Sequence, residues 1–415
     1  MHKKRVAIVS LGYAWLPCEP GPSRFYDIAM KMHQCGYEVD FIGSSFQHFR
    51  KEPRNQQLIC DMKYPFHITF IDVPKYKKNI DLRRVYSNRI AKKNVLKYLD
   101  KHEYDAVYCS IPANDIGAAV SKYCKKKKIP FVVDVEDLWP EAMSMVIKSK
   151  RVRDMLLYSF KRDAEVVYRN ADAVIGTSDE YTERAFKNTK RDIPHKTVYV
   201  GCDLDNFDQG VRKYYDKIEK ADNEFWVTYA GSIGTSYDIR TLVLAGKKLL
   251  NINYGNIKIK ILGTGPLKQE LEDLKIQEDC QNVQFLGYVD YQKMAAYLKK
   301  SNIVINSFVK GAPQSIVNKI GDYLASGNAV INTLQSKEFC SLVNEYQFGI
   351  NIEPENVDAL ALTIIELYKD KKGLKEMGKS ARLLAETKFD RKVSYQVIPD
   401  MIESLWMKEK NTNEE

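Results

Sequence analysis

Residues 302–333 read NIVINSFVKGAPQSIVNKIGDYLASGNAVINT. Ile303 to Ser307 is rich in β-branched residues and bounded by turn formers, which predicts a short buried strand. A loop with Gly311 and Pro313 follows. Ser315 is placed to N-cap a helix running to Ser326, which Gly327 closes in the left-handed C′ position. Val330 to Asn332 begins the next strand. The unit is strand–loop–helix–strand, and its loop opens at the carboxyl end of a strand, where open α/β sheets hold ligands.

On the predicted helix, Asn318 and Asp322 are four residues apart and Lys319 lies beside them, so the three share a surface. A lysine near a helix start, together with free backbone N–H groups, suits a phosphate or diphosphate. Asp322, one turn further in, could accept hydrogen bonds from the vicinal hydroxyls of a sugar. A solvated Lys–Asp pair is the plainer reading of those two residues alone. The adjoining irregular Gly/Pro loop shifts the balance toward a ligand.

With 415 residues, two domains are expected, and 44% apolar residues can pack both. The formal net charge of +10 favours anionic partners: phosphorylated substrates, acidic membrane surfaces or nucleic acid. Eight cysteines are scattered without a C-x-x-C or a Cys/His cluster, as in a chain of reduced thiols with neither disulfide framework nor zinc site. The start, MHKKRVAIVSLG, reads as a first strand over Arg5–Ser10 rather than a signal peptide. No stretch approaches the ~18 apolar residues of a membrane span. The expectation is a cytoplasmic protein, either free or peripheral on the inner face of the membrane.

Strand-like runs alternate with helical periodicity along the chain, which predicts parallel α/β architecture. After the first strand comes a loop with Pro17, Pro20, Gly21, Pro22 and Ser23, then a helix from about Arg24 to Cys35. That loop has no G-x-G-x-x-G, which argues against a dinucleotide site. Residues 81–101 form a basic amphipathic helix carrying Arg83, Arg84, Arg89, Lys92, Lys93 and Lys97, either an ordinary surface helix or a dock on anionic lipid. The strand Phe131–Val135 runs into DVEDLWPE, which puts Asp134, Glu136 and Asp137 at a strand's carboxyl end. Those acids could cap a helix or hold a sugar hydroxyl. Thr177 and Glu180 fit a capping box. Residues 208–223 are polar and charged, and are expected to link the domains. The second α/β series begins at Phe225, with Gly231 and Gly234 able to bring amides close to a ligand, and with Gly265 and Pro266 suited to Ncap and N1 of a helix.

The order of GPSR (21–24), DVEDLWPE (134–141), GTSDEYTER (176–184), VGCDLDNF (200–207), YAGSIG (229–234), ILGTGPL (261–267), VQFLGYV (283–289) and NKIGDYLASGNAVI (318–331) resembles the family 4 glycosyltransferases. The resemblance spans about residues 5–400 and is nearest the bacterial branch that builds capsule, O-antigen and related cell-surface polysaccharides. It implies an α/β protein of the GT-B type: two Rossmann-like domains facing across a cleft, with a C-terminal helix crossing back to the N-terminal domain. The implied division is 1–207 for the acceptor-side domain, 208–223 for the linker, 224–387 for the nucleotide-sugar domain and 388–415 for the returning helix, which gives Trp406 a surface.

By that resemblance the base rests near Gly287, Tyr288 and Val289, with Gln314, Ser315 and Asn318 also on the donor side and Asp322 on the ribose hydroxyls. The diphosphate meets the amides of Gly231, Ser232 and Gly234 and the charge of Lys319. Gly21, Pro22, Ser23 and Arg24 form a phosphate or acceptor loop, and Glu136 and Asp137 lie near the transferred sugar. Three features depart from the common pattern: Ser232 and Tyr237 replace an Arg and a Lys, Gln314 replaces the first glutamate of an E-x7-E pair, and Asp322 is shorter than the usual Glu. A polysaccharide-building subgroup shares the N/S-K-x-x-D/E-Y form.

The implied activity is retaining transfer of a sugar from a UDP-sugar to a polyprenyl-diphosphate-linked or other saccharide acceptor. It would need no metal or other cofactor and involve no nucleic acid. The alternatives are a nucleotide-sugar epimerase on the same fold, or a non-catalytic subunit that binds nucleotide-sugar or glycan.

Overall fold

A computed structural model describes residues 3–12, 15–19, 21, 23–55, 57, 59, 61–78, 81–139, 150–188 and 191–414. The chain divides into two compact units, one of residues 1–199 and 395–415, the other of residues 200–394.

In the first unit the strands are β1 (Arg5–Val9), β2 (Glu38–Ser44), β3 (Phe46–Gln47), β4 (Glu52–Pro53), β5 (His67–Ile71), β6 (Ala106–Ile111), β7 (Phe131–Val135), β8 (Ala173–Gly176) and β9 (His195–Thr197). Seven of them form a parallel sheet in the order β5-β2-β1-β6-β7-β8-β9, while β3 and β4 make a small antiparallel ribbon. The strand order reverses between β1 and β6. Alternation along β1 explains the layers: Val6 and Ile8 join one core with Phe25 and Ile28, whereas Ala7 and Val9 join another with Val95 and Val107.

The last helix, Val397–Glu414, belongs to this first unit. Ile398, Ile402 and Trp406 are buried in its first core. The Trp406 indole N–H donates to the Asp105 carbonyl at 2.8 Å, and the ring meets Tyr37 edge-on at 5.5 Å. Burying side chains of this size contributes about 1.5–3 kcal/mol each, which fixes the helix there.

The second unit holds β10 (Phe225–Ala230), β11 (Ile257–Leu262), β12 (Val283–Gly287), β13 (Ile303–Asn306), β14 (Ala329–Asn332) and β15 (Gly349–Asn351). They form a parallel sheet in the order β12-β11-β10-β13-β14-β15, which reverses between β10 and β13. The strands are apolar almost throughout because helices cover both faces of such a sheet.

Several local expectations are corrected. Residues 208–223 are not a free linker: Leu204–Tyr214 is a helix of the second unit, with Leu204 and Phe207 buried and Gly210 against the backbone of Gln292. Residues 208–214 belong to this helix, Tyr215–Lys217 make a short 3-10 turn after it, and Ile218 is buried beyond that. The chain passes between units at Tyr199–Val200 and returns at Ser394–Tyr395. Ser178 rather than Thr177 caps the helix Asp179–Arg184, accepting from the Tyr181 N–H at 3.2 Å. The helix after β11 starts at Lys268, beyond Gly265 and Pro266.

Candidate functional site

The strand order reverses between β10 and β13, and open α/β sheets bind ligands beyond the carboxyl ends of the strands at such reversals. Past β10 the chain turns at Gly231, whose φ is +156°, and its N–H donates to the Leu262 carbonyl at 2.9 Å. Gly263, with φ +138°, lies so close that a Cβ there would meet the Gly231 oxygen at 1.8 Å. Only glycine permits both the dihedral and the approach. The Gly263 N–H in turn donates to the Gly287 carbonyl at 2.7 Å. Gly231, Gly263 and Gly287, from the ends of three neighbouring strands, therefore form one continuous backbone floor. Tyr288 stands beside it with 71% of its surface exposed.

Lys319 faces this floor: a Cβ added to Gly231 would lie 3.6 Å from its Cδ. Its Nζ is enclosed by aromatic rings, at 4.4 Å from the centroid of Tyr229, 4.5 Å from Tyr237, 4.9 Å from Phe308 and 5.9 Å from Tyr323. That nitrogen is buried and has no hydrogen-bond partner among the described residues. Ring faces attract a cation but cannot replace its lost hydration, so burial lowers the Lys319 pKa well below its ordinary value. A buried amine without a hydrogen-bond partner is costly, and an anion beside it would offset that cost. The Tyr229 phenol donates to the Ser232 carbonyl at 2.6 Å, tying the cage to the glycine turn.

The helix carrying Lys319 is shorter than the sequence predicts. It spans Lys319–Ala325, its N-cap is Asn318, and the Asn318 side chain makes no capping bond. Ser315 is buried four residues earlier and donates to Glu338 at 3.2 Å, so it is no cap. Seven residues make a weak macrodipole, and the charge at this site comes from Lys319 rather than from a helix end. Lys319 and Asp322 also diverge, without an ion pair between them. Asp322 accepts a 2.7 Å hydrogen bond from the Tyr291 phenol, and burial pushes its carboxyl up to about 6. Gly321 lies between them, and a Cβ on it would meet the backbone of Gly201 and Cys202 at 2.8–2.9 Å, so the helix is pressed on that segment. Gln314 has a buried, partnerless Oε1, Asn318 is exposed, and Gly234 has open space around it. Tyr237 was noted from the sequence only as standing in place of a lysine, and Tyr229, Tyr291, Phe308 and Tyr323 were not recognised as site residues, because an isolated aromatic residue in or next to a strand or helix reads as core.

In the first unit the expected residues separate. Pro22 lies outside the described residues, and Gly21 rests against the Trp15 ring. Ser23 donates to Asp27 at 2.8 Å. Arg24 is buried and does not serve an external phosphate: its Nε and Nη2 donate to the two oxygens of Asp134 at 3.0 and 3.2 Å, and its Nη1 to the Val198 carbonyl at 2.9 Å. Glu136 lies 2.9 Å from the same guanidinium. Burial and then the Asp134 charge push the Glu136 carboxyl well above its usual range, against the pull of Arg24. Asp137 turns the other way and lines a cavity of about 230 Å³, together with Trp139, Arg84 and Tyr76.

Two parallel sheets, each reversing its strand order and each in its own unit, are the two Rossmann-like halves of the GT-B fold class. Comparison with known proteins agrees. Residues 211–384 match the family model described as glycosyl transferases group 1, within the second unit. A putative colanic acid biosynthesis glycosyl transferase, WcaI, of Escherichia coli K12 is 27% identical over 160 residues, 38% of this chain and 39% of that protein. The match thus spans about two fifths of the length of that curated relative. Among solved structures, Anabaena Alr3699/HepE in complex with UDP aligns with a TM-score of 0.68 at 14% identity, over 97% of this chain and 100% of that one. WaaG, a glycosyltransferase involved in lipopolysaccharide biosynthesis, aligns with a TM-score of 0.66 at 15% identity, over 96% and 99%. At such identities the likeness shows the fold.

Proposed function

We propose that this protein is a retaining glycosyltransferase that moves a sugar from a UDP-sugar to a polyprenyl-diphosphate-linked or other saccharide acceptor during cell-surface polysaccharide synthesis. The observation that carries the reading is the Lys319 amine, enclosed without a partner beside the floor of Gly231, Gly263 and Gly287. An arriving diphosphate supplies the counter-charge that the aromatic cage lacks. In such a low-dielectric setting one cation stabilises a leaving diphosphate far more than it would in water. Asp322, oriented by Tyr291, accepts from the ribose hydroxyls, and the exposed Tyr288 ring offers a face for the base. No metal is invoked, since the transferase reading assigns the leaving charge to Lys319 and to backbone amides.

No helix among the described residues is long and apolar enough to cross a membrane. The reading instead places the protein at the inner face of the membrane through the helix Leu82–Leu99. That helix exposes Leu82 (87%), Val85 and Tyr86 beside Arg83, Arg89 and Lys93. Exposed apolar residues among basic ones suit an anionic lipid surface.

Incubation of the pure protein with a panel of labelled UDP-sugars and membrane-extracted lipid acceptors tests the function. Labelled lipid product is expected. An isomerised donor would make the protein an epimerase, and nucleotide binding without turnover would make it a binding subunit. Labelled product that requires an added divalent ion would remove the metal-free reading.

A further inference from the structure

A groove of about 500 Å³ opens in the second unit at the amino ends of β13 and β14, where Ser301, Asn302, Gly327 and Asn328 line it. It lies at the other end of the sheet from the glycine floor, which stands at the carboxyl ends of β10, β11 and β12. The helix Lys371–Leu384 forms its long wall. Gly378 lets this helix pack closely, since a Cβ there would meet the Gly327 oxygen at 2.3 Å. Gly378, Ala381 and Leu384 are buried on the packed side.

The groove is electropositive. Two of its cations are engaged from within: Arg382 donates to Asp208 at 2.8 and 2.7 Å and to Glu386 at 2.7 Å, and Lys299 donates to the Ser326 carbonyl at 3.0 Å. Lys371, Lys375 and Lys379 also line it, are exposed, and make no hydrogen bond or ion pair among the described residues. Asp208 and Glu386 set against these five cations leave a net charge of +3. The three lysines, four residues apart, stand in one row of the helix, and Leu383, 62% exposed, continues it. From Lys371 to Leu383 the row runs about 18 Å. The adjoining exposed row carries Lys372 and Glu376, of opposite charge.

We infer that this row is a docking surface of the second unit for an anionic lipid bilayer, with Lys371, Lys375 and Lys379 on the headgroup phosphates and Leu383 in the acyl boundary. Basic residues aligned beside an exposed apolar one complement such a surface. A row of about 18 Å matches an array of headgroups rather than one small anion. A nucleic-acid backbone would also meet the lysines, but it would leave Leu383 in water. The inference goes beyond the transferase reading and does not rest on it, and it uses a different unit from the helix Leu82–Leu99.

Sedimentation of the full chain is measured with vesicles rich in phosphatidylglycerol and with vesicles of phosphatidylcholine alone. The triple variant Lys371→Glu, Lys375→Glu, Lys379→Glu is expected to bind the anionic vesicles at least 100-fold more weakly than wild type at low salt. Leu383→Ser is expected to weaken binding about 10-fold. UDP affinity, titrated in the same preparations, is expected to stay at the wild-type value and reports that the fold is kept. A triple variant that sediments like wild type overturns the inference, as does equal wild-type binding to neutral and anionic vesicles. Loss confined to reversal of Arg83, Arg89 and Lys93 overturns it too, while keeping the dock on the first unit. Release of wild type by inorganic phosphate, at an ionic strength where sodium chloride does not release it, would make the groove a site for a free anion and overturn the bilayer assignment. So would retention of a DNA duplex by wild type, but not by the triple variant, in a protein that ignores vesicles.

Discussion

The Tyr323 phenol makes two hydrogen bonds to Ala230, accepting from its N–H at 2.9 Å and donating to its carbonyl at 3.0 Å. This pair bolts the helix of Lys319 onto the end of β10, next to the Gly231 turn, with both groups buried. Tyr323→Phe strands a buried donor and acceptor, and about 1–3 kcal/mol of stability is expected to be lost. UDP affinity is expected to fall with it, because the glycine turn loosens. Urea unfolding and a UDP titration read the two effects; a variant unchanged in both would show that the bolt is dispensable.

Lys319 works against the fold that holds it. Its pKa is lowered in the folded state, so the unfolded chain binds the extra proton. Stability therefore rises with pH between the folded pKa and the ordinary lysine value, and at neutral pH the residue is a net cost. Lys319→Met is expected to raise stability at pH 7 by on the order of 1–3 kcal/mol while abolishing UDP binding. Thermal melts from pH 7 to 10 should show a shallower pH dependence for the variant. Wild-type UDP binding should be accompanied by proton uptake, measured by calorimetry in buffers of different ionisation enthalpy; zero uptake would place the diphosphate elsewhere.

Asp322 titrates in the opposite sense. Its carboxyl is raised to about 6 by burial, so the folded state holds the proton more tightly than the unfolded one. The stability this contributes is fully present below the unfolded pKa of ~3.9 and is lost as pH rises through 6. Asp322→Asn is expected to remove that slope and keep the Tyr291 hydrogen bond. Denaturation of both proteins from pH 4 to 7 gives the comparison, and parallel curves would disprove the raised carboxyl.

Arg24 holds the first unit together from inside. It is 2% exposed and bonds Asp134 through two nitrogens. Arg24→Met leaves buried carboxyls without their cation and is expected to cost about 3–5 kcal/mol. Nucleotide affinity should stay at the wild-type value in whatever fraction remains folded. A stable variant with weakened UDP binding would return Arg24 to the phosphate role that its geometry argues against.

Charge reversal at Arg83, Arg89 and Lys93 is expected to weaken sedimentation with vesicles rich in phosphatidylglycerol, with UDP affinity unaltered. Each basic residue near such a surface contributes about 1 kcal/mol, so the triple change should reduce binding at least 100-fold at low salt. Equal sedimentation of variant and wild type would remove the membrane from the account.

The layered α/β plan was legible along the chain because periodicity is local: strands such as Arg5–Val9 and Ile303–Asn306 announce themselves through runs of buried apolar residues. Lys319 stood out in the sequence by its place after an irregular loop. Its surroundings were not legible. Tyr229, Tyr237 and Phe308 come from three separated segments, and no local pattern distinguishes a ring that encloses an amine from one that packs a core. Arg24 was misjudged for the same reason, since its partner Asp134 is 110 residues away. Sequence by itself determined the alternation of strands and helices and the kinds of chemistry available. Tertiary structure alone decided which charges were paired internally and which were buried without a hydrogen-bond partner, because desolvation and pairing depend on neighbours that only folding brings together.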